Sequence, residues 1–419
     1  MQRFAIIGFG YAGFSALKAI RDAGCGAEID VYSETKLPPY NPMLTTYYIA
    51  GKLDYKAMFP FGSLEEIASA YSARILTQTK ACRIEDAKSV TTQSGGTKPY
   101  DKILIATGAS AFVPPTLRHL LPEVHCMRTV DDAERLKYAL QTKKMNDALV
   151  VGASMVGIKV AELLNDAGVD VTLTDLCNSI FPLAAYPDVA EIIEKHVQER
   201  GIRLKLGCVI ENAKKTPEGY SVSFSTGECI HTDALVLNIG TRAATEALSP
   251  AIAVNRGIVV NERMETSVPD IYAAGDCCEG NNLQTSGTQI IGLWANAGLQ
   301  GRVAGQNMAG KYAEMDGSIP CNITHFMDLD FISIGDNRES GETRRYVDPE
   351  KRFFIEAIRR DGKLVGFNIL NHRDISGVCK AYFTARLRIK RPLPAIQKAV
   401  LEEAELKGSF IRWLEEETE

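Results

Sequence analysis

The sequence predicts an α/β protein: two copies of a strand, glycine turn, helix and strand, followed by a smaller α+β segment. Three observations predict it. A glycine pattern recurs at a fixed offset, each copy joins an apolar run to a helical stretch, and strand-like alternation takes over near residue 321.

The first copy opens with the apolar run at 3–7, which leads into Gly8-Phe9-Gly10-Tyr11-Ala12-Gly13. A helical stretch runs to Asp22-Ala23-Gly24, and a second strand, Ile29-Asp30-Val31-Tyr32, ends beside Ser33 and Glu34. The second copy runs from Ala148-Leu149-Val150-Val151 into Gly152-Ala153-Ser154-Met155-Val156-Gly157. Its helix reaches Asp166-Ala167-Gly168, and the strand from Val169 to Thr174 ends at Asp175. Gly152, Gly157 and Gly168 repeat Gly8, Gly13 and Gly24 at one offset of 144.

Each glycine has its own task. The first permits the sharp turn, the second lets backbone approach a pyrophosphate, and the third lets the helix pack close to the sheet. The helix N-terminus then offers free N–H groups and the positive dipole end to phosphates. The acid after the second strand accepts ribose hydroxyls. A single such pattern reads equally as a glycine-rich turn; two copies in this context read as Rossmann-like dinucleotide-binding units. Ser154 replaces the middle glycine of the second copy and is still small. Asp175 favours NAD over NADP, because a carboxylate there binds the 2′-hydroxyl and repels a 2′-phosphate. Leu176-Cys177-Asn178-Ser179 supplies no arginine to offset it.

Two more apolar strands end in glycine, Lys102-Ile103-Leu104-Ile105-Ala106-Thr107-Gly108 and Ala234-Leu235-Val236-Leu237-Asn238-Ile239-Gly240, and a third segment reads Ile271-Tyr272-Ala273-Ala274-Gly275-Asp276. Beyond Cys321, strand-like stretches cover 326–334 and 352–370, with Asp361-Gly362 as a hairpin turn, and helices are expected over 374–389 and 394–416.

Composition sets the outer limits. Lys plus Arg is 47 against 52 Asp plus Glu, a net charge of −5, which excludes a globally basic nucleic-acid binder. With 45% hydrophobic and 24% charged residues the chain is no disordered polymer. No apolar run reaches membrane-spanning length, and Met1 to Gly8 enters a strand at once instead of a signal sequence, so a cytoplasmic protein is expected. The ten cysteines include no C-x-x-C and no metal-ligand spacing. Any iron–sulfur cluster it works with belongs to another chain. Cys277 and Cys278 are adjacent, which reads either as buried thiols or as a strained redox pair.

Together these motifs resemble the FAD/NAD(P)-dependent pyridine nucleotide-disulphide oxidoreductases, over nearly the whole chain. The resemblance implies an FAD-binding domain at 1–125 and 251–320, an NAD-binding domain inserted at 126–250, and an interface domain at 321–419. It assigns to FAD the residues Gly8, Gly10, Tyr11, Ala12, Gly13, Ser33, Glu34, Pro42, Ala81, Ala106, Thr107, Gly108, Arg128, Gly275, Asp276, Leu293 and Trp294. To NAD it assigns Gly152, Ser154, Met155, Val156, Gly157, Asp175, Tyr186, Ile239 and Gly240. Trp294 reads equally as ordinary core packing.

Hydride transfer needs positioning, not an acid–base residue, so no protein group is named as catalytic. Lys159 stands where many family members carry glutamate. It either pairs with Glu162 at i,i+3 or tunes the flavin with its charge. Disulphide reductases of the family carry C-x(4)-C some forty residues in; here Tyr40-Asn41-Pro42-Met43-Leu44-Thr45 has no thiol. The segment looks more like the branch that feeds external electron carriers: ferredoxin, rubredoxin and nitrite reductases. Within that branch it is most similar to NADH-linked FAD subunits of phenylglyoxylate dehydrogenase and tungsten aldehyde oxidoreductase complexes. The resemblance implies an NAD(H):acceptor oxidoreductase subunit with an iron–sulfur partner, and an interface domain that serves a homodimer or docking. The alternatives are a free-standing NADH oxidase, a rubredoxin or ferredoxin reductase, and a flavin-binding regulatory module. Arg386, Arg388, Lys390 and Arg391 form a basic run, read as a solvated face or as steering for an acidic partner.

Overall fold

The computed structural model describes residues 1–142, 145–285, 287–337, 340–389, 395–404, 406 and 408–415. Lys390 and Arg391 of the basic run lie outside them. The chain forms two compact units: Met1–Ser110 with Thr241–Ser318, and Ala111–Gly240 with Ile319–Glu419.

The first unit centres on a five-stranded parallel sheet. Its strand order is Ile271–Ala273, Lys102–Ile105, Arg3–Ile7, Glu28–Tyr32 and Arg74–Leu76. Phe4, Ala5, Ile6, Ile103 and Leu104 are completely buried, as continuous apolar runs covered on both faces must be. The helix Tyr11–Asp22 packs along the helix Trp294–Met308. That approach depends on Gly301 and Gly305, where a Cβ would strike the carbonyl oxygens of Ala12 and Ala16. Buried Asp30 receives a bidentate pair of hydrogen bonds from Arg74 (2.7 Å each), one from Lys98 (2.5 Å) and one from the Tyr100 hydroxyl (2.6 Å). Burial opposes its ionisation, but these donors outweigh it and hold its carboxyl below the usual value.

The second unit repeats the sheet plan. Its parallel order is Arg203–Lys205, Asp170–Thr174, Asp147–Val151, Ala234–Leu237 and His125–Cys126. It also holds an antiparallel five-stranded sheet in the order Cys321–Phe326, Leu329–Gly335, Lys363–Leu370, Phe353–Arg360 and Glu342–Asp348. Asp361 (φ 49°) and Gly362 (φ 71°) make the expected tight turn between paired Arg360 and Lys363.

Three details depart from the sequence reading. Met327 and Asp328 take positive φ and turn the chain, so the strand expected over 326–334 starts at Leu329. Glu342–Asp348 is an additional, mostly exposed edge strand, whose polar residues carry no alternation. The helix expected over 394–416 is two, Ala395–Glu403 and Gly408–Glu415. The second brings Trp413 to Glu342, its Nε1–H donating to Oε1 at 2.8 Å, with the Arg359 guanidinium over the indole at 4.2 Å. Among the described residues, no helix is long and apolar enough to cross a membrane.

Candidate cofactor-binding sites

In the first unit, Gly8 takes φ +98° and its N–H donates to the Tyr32 carbonyl at 2.9 Å, which turns the chain from strand to helix. A Cβ on Gly13 would strike the Gly8 carbonyl. Gly10 caps the helix without a side-chain acceptor. The first intrahelical bond runs from the Phe14 N–H to the Gly10 carbonyl, so the N–H groups of Tyr11, Ala12 and Gly13 have no intrahelical partner and suit an anion.

Two other segments converge on this turn. The position a Cβ would take on Gly275 lies 3.1 Å from the Ala12 Cβ, and the Gly275 N–H donates to Gln300 Oε1 at 2.8 Å. The Asp276 carboxylate lies 3.7 Å from the equivalent position on Gly292, just before Leu293 caps the helix Trp294–Met308. Tyr11 stacks on Trp294, whose buried Nε1–H has no hydrogen-bond partner among the described residues. Gly8, Gly10, Tyr11, Ala12, Gly13, Gly275, Asp276, Leu293 and Trp294 are thus gathered at one place.

The rest of the first-unit set is placed as follows. The Ala106 N–H donates to the Ile7 carbonyl (2.7 Å) and the Thr107 hydroxyl to the Ala244 carbonyl (2.7 Å), while Gly108 takes φ +69°. Ala81 begins the strand Ala81–Ile84 and is buried. Pro42 opens a short 3-10 turn capped by Asn41, whose Oδ1 accepts from the Met43 N–H at 3.1 Å. Arg128, assigned to FAD by resemblance, belongs to the second unit, just before the helix Val130–Thr142.

The two cradles differ just after their second strands. Ile7 pairs with Tyr32 and Val151 with Thr174, so the residue directly after the strand is Ser33 in one copy and Asp175 in the other. Glu34 stands one residue further on, exposed, in an ion pair with Lys80 at 3.4 Å. Asp175 is held by two backbone donors, Ala153 N–H at 2.7 Å and Cys177 N–H at 2.8 Å.

In the second unit a Cβ on Gly157 would strike the Gly152 carbonyl, and Gly152 takes φ +106°. Ser154 caps the helix Met155–Asp166, yet its hydroxyl donates to the Asn238 carbonyl at 3.3 Å, away from the helix. The N–H groups of Met155, Val156 and Gly157 therefore remain without an intrahelical partner. Gly240 follows Ile239 with φ +102°. Tyr186 is 1% exposed, its N–H donates to Asn368 Oδ1 at 2.7 Å, and its hydroxyl is buried with no hydrogen-bond partner among the described residues. Lys159 is ion-paired with Glu162, whose other oxygen accepts the Met327 N–H at 2.6 Å.

Both cradles fit a dinucleotide: each has a turn that a Cβ would fill and a helix end whose first N–H groups lack intrahelical partners. Cys277 and Cys278 are buried, and burial raises both thiols above their usual value. Each sulfur faces carbonyl oxygens, Cys277 those of Ile105 and Ala274 and Cys278 that of Gly275. This is the environment of packing thiols.

The sequence reading missed Gln300, which positions Gly275, and Asn238, whose two side-chain polar atoms are buried without a partner among the described residues. Asn238 occupies the place of Ala106: a Cβ on Gly8 would strike the Ala106 carbonyl, and one on Gly152 the Asn238 carbonyl. The two residues are 132 positions apart, so the 144-residue offset does not align them.

Comparison with known proteins decides the family. The profile of the pyridine nucleotide-disulphide oxidoreductases matches residues 2–301. The chain belongs to this family. It is an FAD-containing, NAD(H)-dependent oxidoreductase. It is 28% identical over 388 residues to the NADH-dependent phenylglyoxylate dehydrogenase subunit epsilon of Aromatoleum evansii, covering 90% of each chain. An NADH oxidase of Methanocaldococcus jannaschii is 29% identical over 394 residues, covering 88% of this chain and 87% of the oxidase. The ferredoxin–NAD(+) reductase component of the 3-phenylpropionate/cinnamic acid dioxygenase of Photorhabdus laumondii is 29% identical over 316 residues, covering 74% and 78%.

Proposed function

We propose that the chain relays electrons between NAD(H) and the iron–sulfur centre of a partner protein, as a subunit of a complex that oxidises aldehydes or 2-oxoacids. In this reading the cradle at Gly8–Gly13, with Gly275-Asp276 and Leu293-Trp294, holds FAD, and the cradle at Gly152–Gly157, with Asp175, holds NAD. The four-segment division at 125, 250 and 320 goes with that assignment. Bound FAD supplies the conversion of a two-electron hydride into one-electron steps. The protein binds and orients: helix N-termini take the pyrophosphates, and the Asp175 carboxylate, already fixed by Ala153 and Cys177, takes a ribose 2′-hydroxyl.

The observation that carries the reading is chemical. Where thiol-dependent relatives keep their redox cysteines, this chain has Asn41 capping Pro42–Leu44, and its vicinal cysteines are buried and weakly acidic. Electrons then need an outlet other than a protein disulphide. Similarity to a dehydrogenase subunit over 90% of the chain supports a protein outlet. The similarity to an NADH oxidase favours a second reading, in which oxygen is the acceptor.

Anaerobic NADH should bleach the FAD-loaded protein within seconds. Reoxidation by a ferredoxin should outpace reoxidation by air. Fast turnover in air without any partner would instead establish the oxidase.

A further inference from the structure

We infer that Asn238 is a nucleotide-binding residue of the second cradle, gripping the ribose on the nicotinamide side of NAD(H). This rests on the assignment of that cradle to NAD.

Asn238 is 6% exposed, and among the described residues neither its Oδ1 nor its Nδ2 has a hydrogen-bond partner. A buried carboxamide left bare is costly, and proteins seldom keep one without a use. Its Cβ lies 3.8 Å from the position a Cβ would take on Gly157, so the side chain leaves the backbone against the first turn of the helix Met155–Asp166. The molecule contains its own control. The corresponding place in the first cradle is Ala106, also 6% exposed, so the fold does not require an amide there.

Sheet order says which part of the ligand it meets. The strand Asp147–Val151 feeds the glycine turn, with Asp170–Thr174 on one side and Ala234–Leu237 on the other. Asp175 directly follows the first neighbour and Asn238 directly follows the second. With the pyrophosphate at the central helix end and one ribose at Asp175, the other half of the dinucleotide extends toward Asn238. The two strand ends are about 10 Å apart, two strand spacings. A phosphate only accepts and would satisfy Nδ2 alone; a ribose hydroxyl both donates and accepts and satisfies both atoms.

The test is calorimetric binding of ADP and of ADP-ribose to the FAD-loaded protein, since only ADP-ribose carries the second ribose. Wild type should bind ADP-ribose several-fold more tightly than ADP. N238A, which reproduces Ala106, should weaken ADP-ribose about tenfold and ADP less than twofold. N238D keeps the shape, loses the donor, and should weaken ADP-ribose at least as much. If N238A lowers the melting temperature of nucleotide-free protein but leaves ADP-ribose affinity unchanged, Asn238 holds only a structural water and the inference fails. Equal binding of the two ligands by wild type also overturns it, with no variant needed. Binding of neither ligand overturns the NAD assignment itself.

Discussion

The phenol ring of Tyr11 lies flat on the indole of Trp294, centroids 3.8 Å apart and planes 8° from parallel. The contact joins the first turn of one helix to the first residue of another, and Phe61 extends the stack at 5.4 Å from Tyr11. The donors of the first cradle and the Leu293 cap are therefore held in a fixed relation.

Trp294→Ala should cost about 2 kcal/mol of stability, from lost packing and stacking. It should also lower the FAD retained per protein. Trp294→Phe should keep most of both. Thermal melts and the 450 nm to 280 nm absorbance ratio measure the two effects.

Gly301→Ala should be more damaging than its one added methyl suggests. The new Cβ would collide with the Ala12 carbonyl and force the two helices apart, at a cost of about 1–3 kcal/mol. Gly26→Ala, exposed with open space around the site, is the control and should be near neutral in chemical denaturation.

Asp30 makes the first unit acid-sensitive. Its folded carboxyl is held below the ordinary value, so its stabilisation is full above the ordinary carboxylate pKa near 4 and is lost as pH falls through the lower folded value. Asp30→Asn should cost about 1–3 kcal/mol at pH 7, because Arg74 and Lys98 lose a charged acceptor. The gap between variant and wild type should close in denaturation curves taken below pH 3.

Cysteine reactivity should divide by burial. Cys82 and Cys229 are exposed and should alkylate readily in the native protein, and Cys177, also exposed, should react more slowly, because partial desolvation of its sulfur and the neighbouring Asp175 carboxylate raise its thiol. Burial pushes Cys126 up to about 11 and Cys379 up to about 12, and raises Cys277 and Cys278 as well. These four should react only after unfolding, followed by mass spectrometry. Rapid native labelling of Cys277 or Cys278 would reopen a redox role for the pair.

The sequence exposed those parts of the molecule where backbone geometry leaves one choice of residue. Gly8 and Gly13 are glycine because neighbouring carbonyls leave no room for a Cβ, and the same constraint acts at Gly152 and Gly157. Asp361-Gly362 was legible for a related reason, since both residues need positive φ. Long-range relations were not legible. Nothing near Tyr11 announces Trp294, and the edge strand Glu342–Asp348 has too few buried residues to alternate. That Ser33, and not Glu34, corresponds to Asp175 follows from the pairing of Ile7 with Tyr32 and of Val151 with Thr174. Asn238 carries meaning through missing partners, a property that exists only in three dimensions.

The first sheet is closed at one edge by Ile271–Ala273, and its leading helix is covered by Trp294–Met308. Both pieces leave the ribosome after all of 111–240 has been made. The nascent N-terminal segment must therefore wait, with an incomplete core and a bare small-residue groove, while the intervening insert is synthesised and free to collapse first. Such delayed closure slows maturation and exposes the chain to aggregation. Fragments ending before 294 should accumulate with chaperones, whereas full-length chains escape them.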